Sequence, residues 1–164
     1  MDLTKLHTLS SKLGDILVSK KLYFTCAESC TGGWVGKTVT SVRGSSRWFG
    51  CGFITYSNSS KQEILDVSDD TLKNFGAVSE QVVKEMVLGA LNKSAADIGV
   101  AISGIAGPDG GTKDRPVGTV CLAWAFQDSL ITSSVEKFRG NREEVRYYSV
   151  EKALLGSIDL LKNI

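Results

Sequence analysis

Apolar residues recur at Leu3, Leu6, Leu9, Leu13, Ile16 and Leu17, the three-and-four spacing that lays one stripe along an amphipathic helix. The period then changes. The run "KLYFTC" reads as a buried strand, and Thr31 to Val42 as a helix entered through a Thr-Gly-Gly turn. "RWFGCGFITY" predicts a second strand interrupted by glycines. "SNSSKQEILDV" opens with cap-forming residues and predicts a short helix through Leu65. The clearest helix is "AVSEQVVKEMVLGALNKSA", with a Ser79 cap and an apolar stripe of Val82, Val83, Met86, Val87, Ala90 and Leu91. "IGVAISGIAG" reads as a strand running into a glycine-rich loop that continues through "PDGGTKDRPVG". "GTVCLAWAF" and "LITSSVEKF" are two strands joined by the short "QDS", and a capped amphipathic helix from "NREEVR" to the last residue closes the chain.

Strands alternating with helices, then a hairpin and a last helix, imply an α/β fold, a three-layer α/β/α sandwich with a mixed sheet. A length of 164 residues with no repeat or linker indicates a single domain over 1–164. Ligands in such folds gather where loops leave the carboxyl ends of the strands. The loops at Glu28 to Gly33, Tyr56 to Lys61 and Ser103 to Gly111 meet that description.

Composition narrows the functional classes. A net charge of +1 gives no basic stripe for nucleic acid. No apolar stretch approaches the ~18 residues of a membrane span, so no membrane partner and a cytoplasmic location are expected. Cys26, Cys51 and Cys121 lie in strand-like runs and read as reduced, buried thiols. Cys26 and Cys30 lack metal-ligand spacing, and His7 is the sole imidazole, so no metal is expected.

The stretch "AESCTGGWVGKT" supports two chemistries. A phosphate-binding P-loop needs a glycine where Thr31 stands, and its "GKT", Gly36 to Thr38, falls inside the predicted helix, leaving Lys37 a solvated helix residue. A nucleophile turn instead presents Ser29 at the strand end, with amides of Cys30 to Gly33 near any developing oxyanion. His7 lies far off in sequence, so a serine nucleophile requires a lysine base of depressed pKa. Lys61 is the best candidate, with Tyr56 and Asn58 beside it, although a lysine after "NSS" is ordinarily a solvated one. Partial burial beneath Tyr56 or repulsion from Arg142 would lower its pKa. Cys30 is the rival nucleophile, and its plainer role is a small residue turned into the core. In the glycine loop, the closely spaced Gly104, Gly107, Gly110 and Gly111 would bring backbone near a flat or anionic ligand, or simply make tight turns, and its first part, Gly104, Ile105, Ala106 and Gly107, is the expected substrate-binding stretch. Arg139 and Arg142 oppose the dipole of the last helix and so suit an anionic partner, or an ion pair with Glu143 or Glu144.

Taken together, "AESCTGG", "GSSRWFGCGFITYSNSSK", "FGAVSEQVV", "SGIAGPDGGTKDRPVGTV" and "GNREEVR" resemble the CinA carboxy-terminal domain family, the nicotinamide-nucleotide amidases. The resemblance spans nearly the whole chain in five ordered blocks. It implies a metal-free and cofactor-free hydrolysis of the carboxamide of nicotinamide mononucleotide to nicotinate mononucleotide and ammonia, within pyridine-nucleotide salvage. By position it implies Ser29 as nucleophile, Lys61 as its base and Tyr56 as assistant. Thr31, Gly32 and Gly33 would shape the oxyanion and ligand site, and Arg142 would stand near it. Two positions depart from the family pattern, the serines of "YSNSSK" and of "SGIAGP". The rivals are an amidase for another carboxamide and a nucleotide-binding regulatory module without turnover. A homo-oligomer is left open.

Overall fold

The computed structural model describes residues 1–127 and 130–164 and shows a five-stranded sheet in the order β2-β1-β3-β4-β5. Its strands are β1 (Phe24–Glu28), β2 (Phe49–Ile54), β3 (Ile98–Gly104), β4 (Thr119–Phe126) and β5 (Leu130–Lys137). β2, β1 and β3 run parallel, while β4 and β5 are antiparallel additions, so the sheet is mixed as expected. Helices α1 (Leu3–Lys20), α2 (Trp34–Thr40) and α6 (Arg142–Lys162) cover one face, and α3 (Asn58–Leu65), α4 (Asp69–Phe75) and α5 (Glu80–Asn92) the other.

The period-two alternation of the strands divides the core between the faces. In β4, Val120, Leu122 and Trp124 join the cluster under α1 and α6, whereas Cys121, Ala123 and Ala125 join the one under α5. Small residues on the second face let α5 lie close to the sheet. In β1 the same alternation sends Phe24 and Cys26 toward the α1/α2/α6 side, and by register Glu28 toward the start of α2. β1 and β3 are buried along almost their entire length, as strands sandwiched by helices must be.

Local signals set the boundaries. Asp2 caps α1, Ser57 caps α3, Ser79 caps α5, and Asn141 with Glu144 forms a reciprocal capping box on α6. Three expectations change. The helix predicted from Thr31 begins only at Trp34, because Gly32 and Gly33 take left-handed φ values of 61° and 93°. The strand over "RWFGCGFITY" shortens to Phe49–Ile54, an edge strand in which Cys51 is half-buried rather than buried. Helix α4 has no counterpart in the sequence reading. β4 and β5 pair as predicted, and Asp128 and Ser129 of the "QDS" link lie outside the described residues.

From β1 the chain crosses to β2 on one side and returns to β3 on the other, so a crevice opens at the carboxyl end of β1. Bonds beyond the strand ends tie the three parallel strands together there. The Ser29 amide donates to Ile102 O at 3.0 Å, and the Thr55 amide donates to Glu28 O at 2.9 Å.

Candidate active site

Ser29 stands one residue past β1, nine-tenths buried, and Lys61 reaches it from the first turn of α3. The Lys61 ammonium donates to Ser29 Oγ at 3.1 Å, to Thr55 O at 2.8 Å and to Tyr56 O at 3.3 Å. Its position follows from the cap: Ser57 Oγ accepts the Ser60 amide at 3.1 Å, starts α3, and turns the next residue under the ends of β1 and β2. Only 1% of Lys61 is exposed. A charge taken out of water favours its neutral form, so burial holds the lysine below its ordinary value. Negative charge on Cys30 would oppose this, but burial pushes the Cys30 thiol up to about 12, which keeps it neutral. Repulsion from Arg142, offered above as a cause, does not contribute.

Cys30 is not poised as a nucleophile. Its side chain packs in the core beneath α2 with only 6% exposed, and a thiol held near 12 carries little thiolate. What Cys30 offers the crevice is its backbone, as the reading of the turn as an oxyanion site has it.

Tyr56 is 61% exposed, and only its carbonyl meets Lys61. Its phenol accepts from Arg142 Nη2 at 3.1 Å, while Arg142 Nη1 donates to Gly107 O at 2.8 Å. The last helix thus joins two of the three expected loops through one guanidinium. No ion pair from Arg139 or Arg142 to Glu143 or Glu144 occurs among the described residues. Arg139 is exposed outside α6, and Asn58, the first residue of α3, is exposed.

The glycine loop supplies less free backbone than its composition promised. The Ile105 amide donates to Thr119 O at 2.9 Å, and its carbonyl accepts the Gly118 amide at 2.8 Å. Ala106 is buried in the core, and a Cβ on Gly104 would lie 2.7 Å from Val120 Cγ2, so close strand packing accounts for that glycine. Gly107, with φ 84°, offers the carbonyl already held by Arg142. The loop thus anchors Arg142 through the Gly107 carbonyl.

Two residues absent from the sequence reading build the turn itself. Glu28, 1% exposed, accepts Thr31 Oγ1 at 2.6 Å and the amides of Gly33, Val35 and Gly36 at 3.0, 3.1 and 2.8 Å. A P-loop offers such helix-start amides to a phosphate, whereas here the chain's own carboxylate takes them. Lys37 is exposed on α2, as expected. The second residue, Arg146, donates from Nε to Cys30 O at 3.1 Å and from Nη2 to Thr31 O at 2.8 Å, with its guanidinium carbon 5.4 Å from the Trp34 ring centroid. The i, i+4 spacing of Arg142 and Arg146 in "REEVR" places both on one helix face and was the available signal.

These bonds decide which amides remain for an oxyanion. Gly32 N donates to Ser29 O at 3.1 Å and Gly33 N is bonded to Glu28, so neither glycine amide is free. The amides of Cys30 and Thr31 donate to no oxygen among the described residues. The expected four-residue oxyanion turn therefore narrows to these two, while the glycines supply the left-handed conformation. Their Cβ-less backbone also fits the surroundings, since a side chain on Gly33 would lie 2.8 Å from Ile54 Cδ1.

The model of the CinA C-terminal domain family matches residues 6–161. The nicotinamide-nucleotide amidohydrolase PncC of Enterobacter agglomerans is 50% identical over 154 residues, covering 92% of this chain and 94% of its own. The protein of the same name from Escherichia coli K12 is 48% identical over 151 residues, with 92% of each chain covered. Among solved structures, the competence/damage inducible protein CihA of Agrobacterium tumefaciens superposes with a TM-score of 0.93 at 37% identity, over 95% of each chain.

Proposed function

The chain belongs to the CinA C-terminal domain family, and from that premise we propose that it hydrolyses the carboxamide of nicotinamide mononucleotide to nicotinate mononucleotide and ammonia. The observation that carries the chemistry is the 3.1 Å contact between a buried lysine and the serine at the strand end. In its neutral form, which burial favours, Lys61 accepts the Ser29 proton as Oγ attacks the carboxamide carbon. The carbonyl oxygen becomes an oxyanion, stabilised by the Cys30 and Thr31 amides. The C–N bond then breaks as the Lys61 ammonium returns the proton to the departing nitrogen, releasing ammonia and leaving an ester on Ser29. Water attacks that ester, giving its proton to Lys61, and Ser29 is restored when Lys61 passes the proton back to Oγ.

Tyr56 serves this scheme through its carbonyl, which with Thr55 O fixes the Lys61 amine against Ser29. Its exposed phenol and Arg142 stand together at the mouth of the crevice, where the guanidinium suits the anionic nucleotide. No metal or redox group enters any step. Among the described residues no helix is long and apolar enough to cross a membrane.

The test is ammonia release from nicotinamide mononucleotide by the purified protein. Ser29→Ala is expected to lose up to ~10⁶-fold in turnover, as nucleophile removal does in serine hydrolases. Cys30→Ala, which keeps the backbone amide, should retain most of it. Loss in the Cys30 variant with retention in the Ser29 variant would overturn the assignment.

A further inference from the structure

We infer that Arg146 is a positioning residue that aims the oxyanion-binding amides at the reacting carbonyl, acting through the carbonyl groups of Cys30 and Thr31. The inference rests on the amide-hydrolysis reading of the same site. It starts from peptide geometry: in a planar trans peptide the C=O and the N–H point in opposite directions. The Cys30 carbonyl shares its plane with the Thr31 amide, so drawing Cys30 O toward Arg146 Nε at 3.1 Å turns the Thr31 N–H away from the arginine. No other donor reaches Cys30 O among the described residues, so nothing else fixes that plane.

The second bond extends the effect by one peptide. Arg146 Nη2 holds Thr31 O at 2.8 Å, with the Trp34 amide donating to the same oxygen at 3.3 Å; this turns the Gly32 N–H the opposite way, and that N–H donates to Ser29 O at 3.1 Å. Ser29 O in turn shares its plane with the Cys30 amide, which is thereby directed away from Gly32. The two amides of the turn that donate to no oxygen among the described residues are thus oriented from their far ends, and one guanidinium takes part in both chains of bonds.

Arg146 is itself held for this. It projects from α6 between buried Val145 and Tyr147, and its guanidinium lies over Trp34, the first residue of α2. A planar fork makes two parallel bonds and a ring contact at once, whereas an ammonium supplies a point charge. The competing role is a direct substrate contact. A groove of about 340 Å³ lies beside the turn, lined by Gly32, Gly33, Trp34, Lys37, Glu143 and Arg146. Against that role, Nε and Nη2 are already committed to carbonyl oxygens.

The two roles separate kinetically, because an amide that meets only the oxyanion acts in the transition state and leaves substrate affinity alone. The experiment measures ammonia release from nicotinamide mononucleotide by the full chain and by Arg146→Lys and Arg146→Ala, with thermal unfolding of each. Loss of one oxyanion donor predicts kcat lower by at least about 100-fold in Arg146→Ala. KM should stay within about threefold, since uniform binding is untouched. Added guanidinium ion should restore part of the lost kcat to Arg146→Ala, and Arg146→Lys should recover little. Should Arg146→Ala fail to fold, the kcat and KM of Arg146→Lys carry the same test. Retained kcat, or a raised KM with kcat unchanged, would overturn the inference while leaving the amidase reading intact. Absence of ammonia from the unaltered protein would overturn both.

Discussion

Taking an ammonium out of water favours the neutral amine, and Lys61 is 1% exposed with two carbonyl oxygens and Ser29 Oγ as its partners. The proposed base needs that neutral form. Activity should therefore rise with pH as Lys61 loses its proton, and the lowered value places this limb of kcat/KM below the ~10.4 of a solvated lysine. Arginine does not deprotonate in a protein, so Lys61→Arg is expected to be nearly as inactive as Lys61→Ala despite keeping the charge. A Lys61→Arg enzyme with most of its turnover would show that position 61 contributes charge alone. Ser29 and Lys61 were legible as one of the chemistries their blocks allow, the family resemblance joined them with Tyr56, and the fold brings the Lys61 amine to Ser29 Oγ. Glu28 and Arg146 were not legible in that way, because they act on backbone groups and announce no chemistry of their own. Arg146 also meets its partners across 115 and 116 residues of sequence, a distance that local spacing cannot bridge.

At the scale of elements, α2 begins where a carboxylate, rather than a solvent-facing cap, receives its first amides. Glu28 is the last residue of β1, so strand and helix share one side chain, and Ser29 lies between them. Glu28→Gln keeps the shape but turns an amide NH₂ toward N–H donors, leaving at least one buried amide without an acceptor. The expected loss of stability is about 1–3 kcal/mol, the cost of an unsatisfied buried polar group. It is checked as a lower urea midpoint at unchanged slope. An unshifted midpoint would mean that the helix start does not depend on the carboxylate. The long elements were legible because α1, α5 and α6 carry whole apolar stripes with capping residues. Helix α4 has a Ser68 cap, Asp69 and Asp70 in its first turn and Gly76 after its end, but buries only Leu72. A seven-residue helix with one buried position offers too little periodicity to read. The ends of β2 and the late start of α2 were set by tertiary contacts and positive φ, which the hydrophobic pattern does not encode.

For the whole molecule, the alternation of strands and helices was sufficient to infer the three layers, the mixed sheet and the crevice where strand order reverses at β1. That placement puts the lysine in the interior, and the interior position has a consequence for global stability. Between the lowered folded value of Lys61 and the ~10.4 of the unfolded chain, the unfolded state binds more protons than the folded one. The slope of unfolding free energy with pH from this group is then positive. Below that window both states are protonated and the folded protein bears the full penalty of a buried charge. Above it both are neutral and the penalty is gone. Lys61→Met has no titrating group at this position, while Cys26, Cys30 and Cys121, whose thiols burial raises, are common to both proteins. The titration of Cys26 and Cys121 cancels in the difference between the two, and that of Cys30, which feels the Lys61 charge, enters it only near its raised value of about 12. The stability of the unaltered protein minus that of Lys61→Met, from denaturant midpoints at a series of pH values, should therefore increase as pH rises toward ~10.4 and then level off. The offset between the curves includes the lost bonds to Thr55 O and Tyr56 O, so only its pH dependence is diagnostic. A flat difference would mean that Lys61 titrates alike folded and unfolded, and a falling one that its charged form is favoured in the fold; either removes the neutral amine on which the Ser29 chemistry depends.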